Sequence, residues 1–170
     1  MTIRRSFIAG ALAAVLLAST TYSAQGSGEC EPFTVISDGS SRTVEFVDVG
    51  ANGPGPGDQR IGYRALADQD GNPVGHYRWI VTVLNEPGED GTPGESFYDY
   101  VMVLDDGHIG YNRLVQTSSP AQDTGQIAWD TTQAAIVTGG TGSYARASGT
   151  VTISRDGMTV TMDLDIACGD

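Results

Sequence analysis

From Arg42 onward the chain alternates apolar and polar residues with a period of two, and turn-forming clusters break the alternation at short intervals. That pattern predicts strands over Thr43–Gly50, Gln59–Ala67, Val74–Asn85, Ser96–Leu104, His108–Gln116, Thr131–Thr138, Thr150–Ser154 and Met158–Ile166. Between them lie segments that suit neither a helix nor a central strand. They include Ala51–Asp58, with three glycines and two prolines, the turn Asp68–Pro73, the acidic Gly/Pro loop Glu86–Glu95, Asp105-Asp106-Gly107, the loop Thr117–Gly125, and Arg155-Asp156-Gly157. No long stretch has helical periodicity. Eight antiparallel strands close most economically as a single-domain β-barrel over residues 43–170, which removes exposed edges, and such a barrel can hold one small ligand. A β-sandwich has the same strand count and is the alternative architecture.

Placing the more apolar face of each strand inward gathers Tyr63, Tyr77, Trp79, Tyr98, Tyr100 and Tyr111 with Met102 and Met162, among Ile61, Val81, Val151, Ile153, Val160 and Leu164. A packed core and a ligand cavity both fit this set. Tyrosine favours the cavity, because every buried hydroxyl needs a partner. The first strand leaves two choices open. Either Val44, Phe46 and Asp48 face inward, or Glu45, Val47 and Val49 do, and each choice puts one carboxylate in apolar surroundings. A desolvated carboxyl has a raised pKa and can serve as general acid or base near neutral pH. Arg113, on the Tyr111 face, is a candidate counter-charge.

The start of the chain has a different character. Arg4-Arg5, the apolar run Ile8–Ala18 and the small or polar residues after it form the three-part pattern of an export signal over residues 1–26, with an apolar run too short to span a bilayer. The general secretory and twin-arginine routes both stay open. Residues 27–42 read as a lead-in. An exported, extracytoplasmic chain is expected to pair its two cysteines, Cys30 and Cys168, tying together the ends of the domain.

Charge narrows the partners. Nine Lys+Arg stand against 21 Asp+Glu for a formal net charge of -12, and every one of the nine is arginine. Such a chain lacks the basic stripes that bind nucleic acid or anionic lipid, and without lysine it has no Schiff-base chemistry. The arginines beyond the export segment are expected on polar strand faces and in turns. With two cysteines, multi-cysteine metal sites are excluded. His76 and His108 fall on polar strand faces and read as solvated histidines, not as a metal pair. Asp68-Gln69-Asp70-Gly71-Asn72 departs from a calcium loop at Pro73 and reads as a turn. Gly139–Gly142 lacks the lysine of a phosphate loop.

Several stretches resemble one family in order: Gly57-Asp58, Asn72-Pro73-Val74-Gly75, Asp106-Gly107-His108-Ile109, and Ala135 to Gly149, which contains Gly139-Gly140-Thr141-Gly142-Ser143-Tyr144. The last is similar to the glycine signature of the allene oxide cyclase and dirigent-protein superfamily, and the chain looks most like its bacterial secreted members. The resemblance covers Thr43 to Ile166. It implies a closed eight-stranded antiparallel barrel, dimeric or trimeric, with an interior site and neither metal nor organic cofactor. It also implies ring closure or stereochemical steering as the activity, with Glu45 at the position of a catalytic glutamate on the first strand. Val47 and Val81 stand where the plant cyclases carry an asparagine and a cysteine, and Ser148 stands where dirigent proteins carry an arginine.

Two functions follow as expectations. One is a cofactor-free cyclase or isomerase that closes a hydrophobic unsaturated small molecule inside the barrel. Glu45 would be catalytic, and Tyr63, Tyr77, Trp79, Tyr98, Tyr100, Tyr111, Arg113 and Met162 would line the site. A cavity below roughly 300 Å³, the lower end for ligand pockets, would overturn it. The other is an exported lipophile-binding or dirigent-type guiding protein without chemistry of its own. A filled barrel would be neither.

Overall fold

The computed structural model describes residues 30–50, 55–117 and 132–169. The expected export signal, residues 51–54 of the 51–58 loop and most of the 117–125 loop lie outside these residues. The described residues form strands and no helix: β1 (Phe33–Ser37), β2 (Thr43–Val47), β3 (Gln59–Ala67), β4 (Pro73–Asn85), β5 (Gly94–Leu104), β6 (Gly107–Thr117), β7 (Gln133–Gly142), β8 (Ala147–Asp156) and β9 (Thr159–Cys168).

From β3 to β9 each strand pairs antiparallel with the next, and β1 pairs with both β9 and β3 to complete a closed eight-stranded barrel. Closure is uneven. Five residue pairs join β1 to β9, from Phe33↔Leu164 to Ser37↔Val160, whereas β1 meets β3 at Ile36↔Ala67. The ninth strand, β2, continues along the same edge of β3 from Thr43↔Tyr63 to Val47↔Gln59, and among the described residues β3 is its one pairing partner.

The expected barrel start at Thr43 is therefore corrected. Phe33–Ser37 belongs to the ring, with Val35 and Ser37 buried, while Thr43–Val47 is the additional strand. The β1 segment is only five residues long. Its role comes from pairing with β3, 31 positions on, and with β9, more than a hundred positions on, which local periodicity does not register.

One end of the barrel is filled. Leu66, Met102, Ile109, Val151, Leu164 and Ile166 are each at most 4 % exposed there. The turns at 68–72, 105–106 and 143–146 and the Cys30–Cys168 disulfide all lie at this end. The glycine signature serves the same end. A side chain on Gly140 would overlap the Tyr144 carbonyl oxygen and come within 2.6 Å of that of His108, and one on Gly142 would overlap the Asp106 carbonyl oxygen. Glycine thus lets the β5–β6 and β7–β8 turns pack backbone to backbone.

At the opposite end Asp58 fastens the chain entering β3. Its buried carboxylate accepts hydrogen bonds from the Val49 N–H at 3.0 Å and the Gly55 N–H at 2.7 Å, and those bonds hold its pKa below the usual range. No helix among the described residues is long and apolar enough to cross a membrane.

Candidate functional site

Above the filled end the interior opens into a cavity lined by Arg42, Val44, Arg60, Arg64, Tyr77, Trp79, Val81, Tyr98, Tyr100, Ile153, Arg155, Val160 and Met162. Strand register explains the grouping. Gly62 pairs with Trp79, Trp79 with Tyr100, Val81 with Tyr98, and Ile153 with Met162, so these residues are cross-strand neighbours on one face. Arg42, Val44, Trp79 and Arg155 are half-buried while most of the remaining lining is buried, which places the mouth between β2 and the β8–β9 hairpin. The enclosed volume is about 70 Å³, and the wider concavity, counting space open to solvent, is about 670 Å³.

The aromatic wall is continuous. Tyr77 and Trp79 have ring centroids 5.2 Å apart, Tyr98 and Tyr100 stack at 5.9 Å, and Tyr100 stacks on Tyr111 at 4.7 Å. Gly62 makes room for this wall, because a Cβ there would overlap the Trp79 indole. Tyr111 is fully buried behind Tyr100, and its hydroxyl donates to the Met162 sulfur at 3.1 Å. Arg113 lies under the wall with its guanidinium carbon 4.9 Å from the Tyr98 centroid and 5.6 Å from that of Tyr100, a cation–π arrangement. Tyr111 and Arg113 thus back the cavity and do not line it.

Two expected site residues lie elsewhere. Tyr63 sits on the outer face of β3 beside His76, with ring centroids 5.1 Å apart, and Arg78 approaches it from β4. The inward face of β3 is Arg60, Gly62, Arg64 and Leu66, and Ile61 is exposed. Hydropathy had put the arginines outside, but the tight Gly62–Trp79 contact and the burial of Leu66 set the register the other way. Glu45 is exposed, opposite Ile61, while its neighbour Val44 enters the cavity. Asp48 is exposed as well and accepts from the Gly50 N–H. Neither carboxylate lines the cavity, so neither is placed to act on a molecule within it.

The arginines of the lining run against hydropathy, which places them on outer faces and in turns. Arg60 and Arg64 are each 5 % exposed, and with Arg42 and Arg155 they bring four arginines to the lining of a small space, the Arg60 guanidinium lying over Phe46. Arg64 Nη1 donates to the Met158 carbonyl at 2.9 Å, and Arg155 Nε donates to the Gly157 carbonyl at 2.7 Å. Burial, followed by the charges of Arg64, Arg155 and Arg60, depresses the Arg42 pKa. Their spacing along the chain carried one weak signal: Arg60, Gly62 and Arg64 share a strand face, and glycine within a strand marks a close approach.

Burial acts oppositely on the phenols. It raises Tyr77 and Tyr98 to about 12 each, against the opposing pull of Arg64 and Arg113 respectively, and it raises Tyr100 and Tyr111 as well. All four are neutral hydrogen-bond donors at physiological pH. A folded-state pKa above the unfolded value adds stability that is present below about pH 10 and is lost as pH rises toward about 12. Titration followed by phenolate absorbance should therefore show these tyrosines ionising only as the fold is lost. Ionisation of all seven tyrosines near pH 10 with the fold intact would contradict their burial. Among the described residues no group of three or more His, Cys, Asp or Glu is placed to hold a metal.

No family model matches the chain, and no curated protein does. Solved structures do share its fold. A pyocyanin demethylase superposes with a TM-score of 0.59 at 23 % identity, covering 80 % of this chain and 99 % of the other. A nonspecific heme-binding cyclase that catalyses a cycloaddition during neoabyssomicin biosynthesis gives 0.58 at 16 % identity, over 84 % of this chain and 70 % of that one. A Diels–Alderase from Streptomyces koyangensis gives 0.51 at 16 % identity, over 81 % and 70 %. At these identities the likeness concerns the barrel. A tie to allene oxide cyclases or dirigent proteins specifically is not among these findings.

Proposed function

We propose that this barrel binds an unsaturated small molecule through its aromatic cavity and promotes a ring closure or isomerisation of it without a cofactor. The observation that carries this reading is the convergence of Tyr77, Trp79, Tyr98 and Tyr100 on one solvent-accessible space. The barrel neighbours that act as cyclases support it by analogy of fold. A cavity of about 70 Å³ falls short of the roughly 300 Å³ expected for ring closure wholly inside the barrel, and that form of the expectation fails. A substrate instead lays one unsaturated edge against the aromatic wall and extends through the mouth past Arg42 and Arg155.

In such a complex the chain supplies position and electrostatics. The indole and phenol faces hold a conjugated system flat and bring its reacting ends together. Tyr98 and Tyr100, kept neutral by burial, line the space and are the phenols that could stabilise charge developing on a substrate oxygen there. Ring closure only rearranges bonds within the substrate, so it needs no oxidant and no leaving group. Glu45, outside the cavity, has no part in this scheme, and Glu45→Gln should leave ligand affinity and turnover unchanged.

A specific observation favours a second reading: no carboxylate lines the cavity among the described residues, as suits a binder or guide without acid–base chemistry. Native mass spectrometry of the exported form should reveal a small molecule that copurifies, and Trp79→Ala should weaken its binding about tenfold. Retained binding with lost product formation in Tyr98→Phe or Tyr100→Phe would establish the enzyme, and unchanged product formation would favour the guide. If Trp79→Ala leaves affinity untouched, the cavity is not the site. The Cys30–Cys168 bridge supports an extracytoplasmic location. Exposed Ile80, Phe97, Val101, Leu114 and Ile136 on the outer face of β4–β7 support self-association.

A further inference from the structure

The cavity lies inside a strongly acidic protein, yet its lining carries four arginines and, among the described residues, no acid. Asp38 and Asp58 feel the charges of Arg64 and Arg60 respectively, but neither lines the cavity. Two of the four, Arg60 and Arg64, are 5 % exposed. Gathering buried charges of one sign is costly unless an opposite charge joins them. The mutual repulsion is visible in Arg42, whose affinity for its proton is lowered by Arg64, Arg155 and Arg60 in addition to burial. A cleft lined by one sign of charge also concentrates its field at the opening.

These arginines are held in place by the fold. Arg64 is braced by the Met158 carbonyl and Arg155 by that of Gly157, both in the β8–β9 hairpin, and each bond uses one guanidinium N–H. The guanidinium fork suits a carboxylate or another delocalised oxyanion better than a point charge. Directly beneath lies the aromatic wall of Tyr77, Trp79, Tyr98 and Tyr100.

We infer that the cavity selects planar unsaturated organic anions, with the conjugated body on the Tyr/Trp wall and the anionic oxygens, of a carboxylate or an enolate, on the Arg64–Arg155 rim. This rests on the cavity being a small-molecule site and assigns the charge of what enters it. In the proposed ring closure the same rim favours an intermediate that gathers negative charge on oxygen.

Naphthoate and naphthamide test the assignment, because they share a ring system and differ in charge. Calorimetric titration of the intact protein at low salt should show naphthoate binding about tenfold tighter than the amide, as expected for charge-assisted bonds. Raising the salt concentration should erode that preference. Arg64→Gln and Arg155→Gln should each abolish most of that preference, weakening naphthoate more than the amide. Arg155, half-buried at the mouth, keeps the test available if Arg64→Gln destabilises the fold. Equal binding of the two probes would overturn the anion assignment and leave the aromatic site standing. No binding of either up to millimolar concentration would remove both. A preference for naphthoate that survives both arginine substitutions would place the anion elsewhere and also overturn the inference.

Discussion

Replacing Cys30 and Cys168 together by alanine should lower the stability of the barrel by about 2–5 kcal/mol, a fall in melting temperature of roughly 5–15 °C. The bridge spans 138 residues, and loop entropy alone assigns such a crosslink about 5 kcal/mol. Its position adds a structural reason. Cys30 lies just before β1 and Cys168 ends β9, so the bridge pins the strand that completes the ring. On its other side β1 meets β3 at one residue pair. Thermal melts of the oxidised wild type and the double variant measure the difference directly. Equal melting temperatures would show that β1 is held by its pairing alone.

Gly140→Ala should cost more than about 3 kcal/mol or prevent folding, because a Cβ there collides with backbone from two sides. The Tyr144 carbonyl belongs to the β7–β8 turn and that of His108 to β6, so neither can retreat without opening a ladder. Gly71→Ala is the control. Its φ of +87° strains an alanine, but nothing lies within 4 Å of the added atom, so the cost should stay at about 1–2 kcal/mol. Denaturant titration of both variants separates the two causes. A loss at Gly140 no larger than that at Gly71 would mean that crowding of the turns does not account for the glycine at position 140, whose own φ is not left-handed.

The central sheet was legible because its strands alternate strongly. Tyr77, Trp79, Val81 and Val83 on β4, and Tyr98, Tyr100 and Met102 on β5, left little doubt about the inward face, and the structure buries that face. On β3 the same rule failed. Arg60 and Arg64 are the polar members of an alternating run, and hydropathy sends charge outward. A binding cavity reverses that preference, since its polar groups are held inside by design of the fold. Gly62 and Leu66 share the arginine face and were the local hint. Strand β2 offered no decision at all, because both of its faces pair one acid with apolar residues. Only the pairing of Val44 with Gly62 directs Val44 inward and Glu45 out. Closure through β1 was beyond local pattern for a different reason, since it depends on long-range pairing of a five-residue segment. The disulfide was legible from the placement of its two cysteines at the ends of the domain.

The single-sided pairing of β2 bears on the mouth against which a partly inserted molecule would rest. The ring of eight strands is complete without β2, which contributes Val44 to the cavity wall near the mouth and is bonded to β3 alone among the described residues. Swinging β2 away from the β8–β9 hairpin would widen the aperture without breaking a bond that closes the ring. The lip and the base of the vessel thus rest on different pairings, β2 on β3 at one and the disulfide with the packed turns at the other.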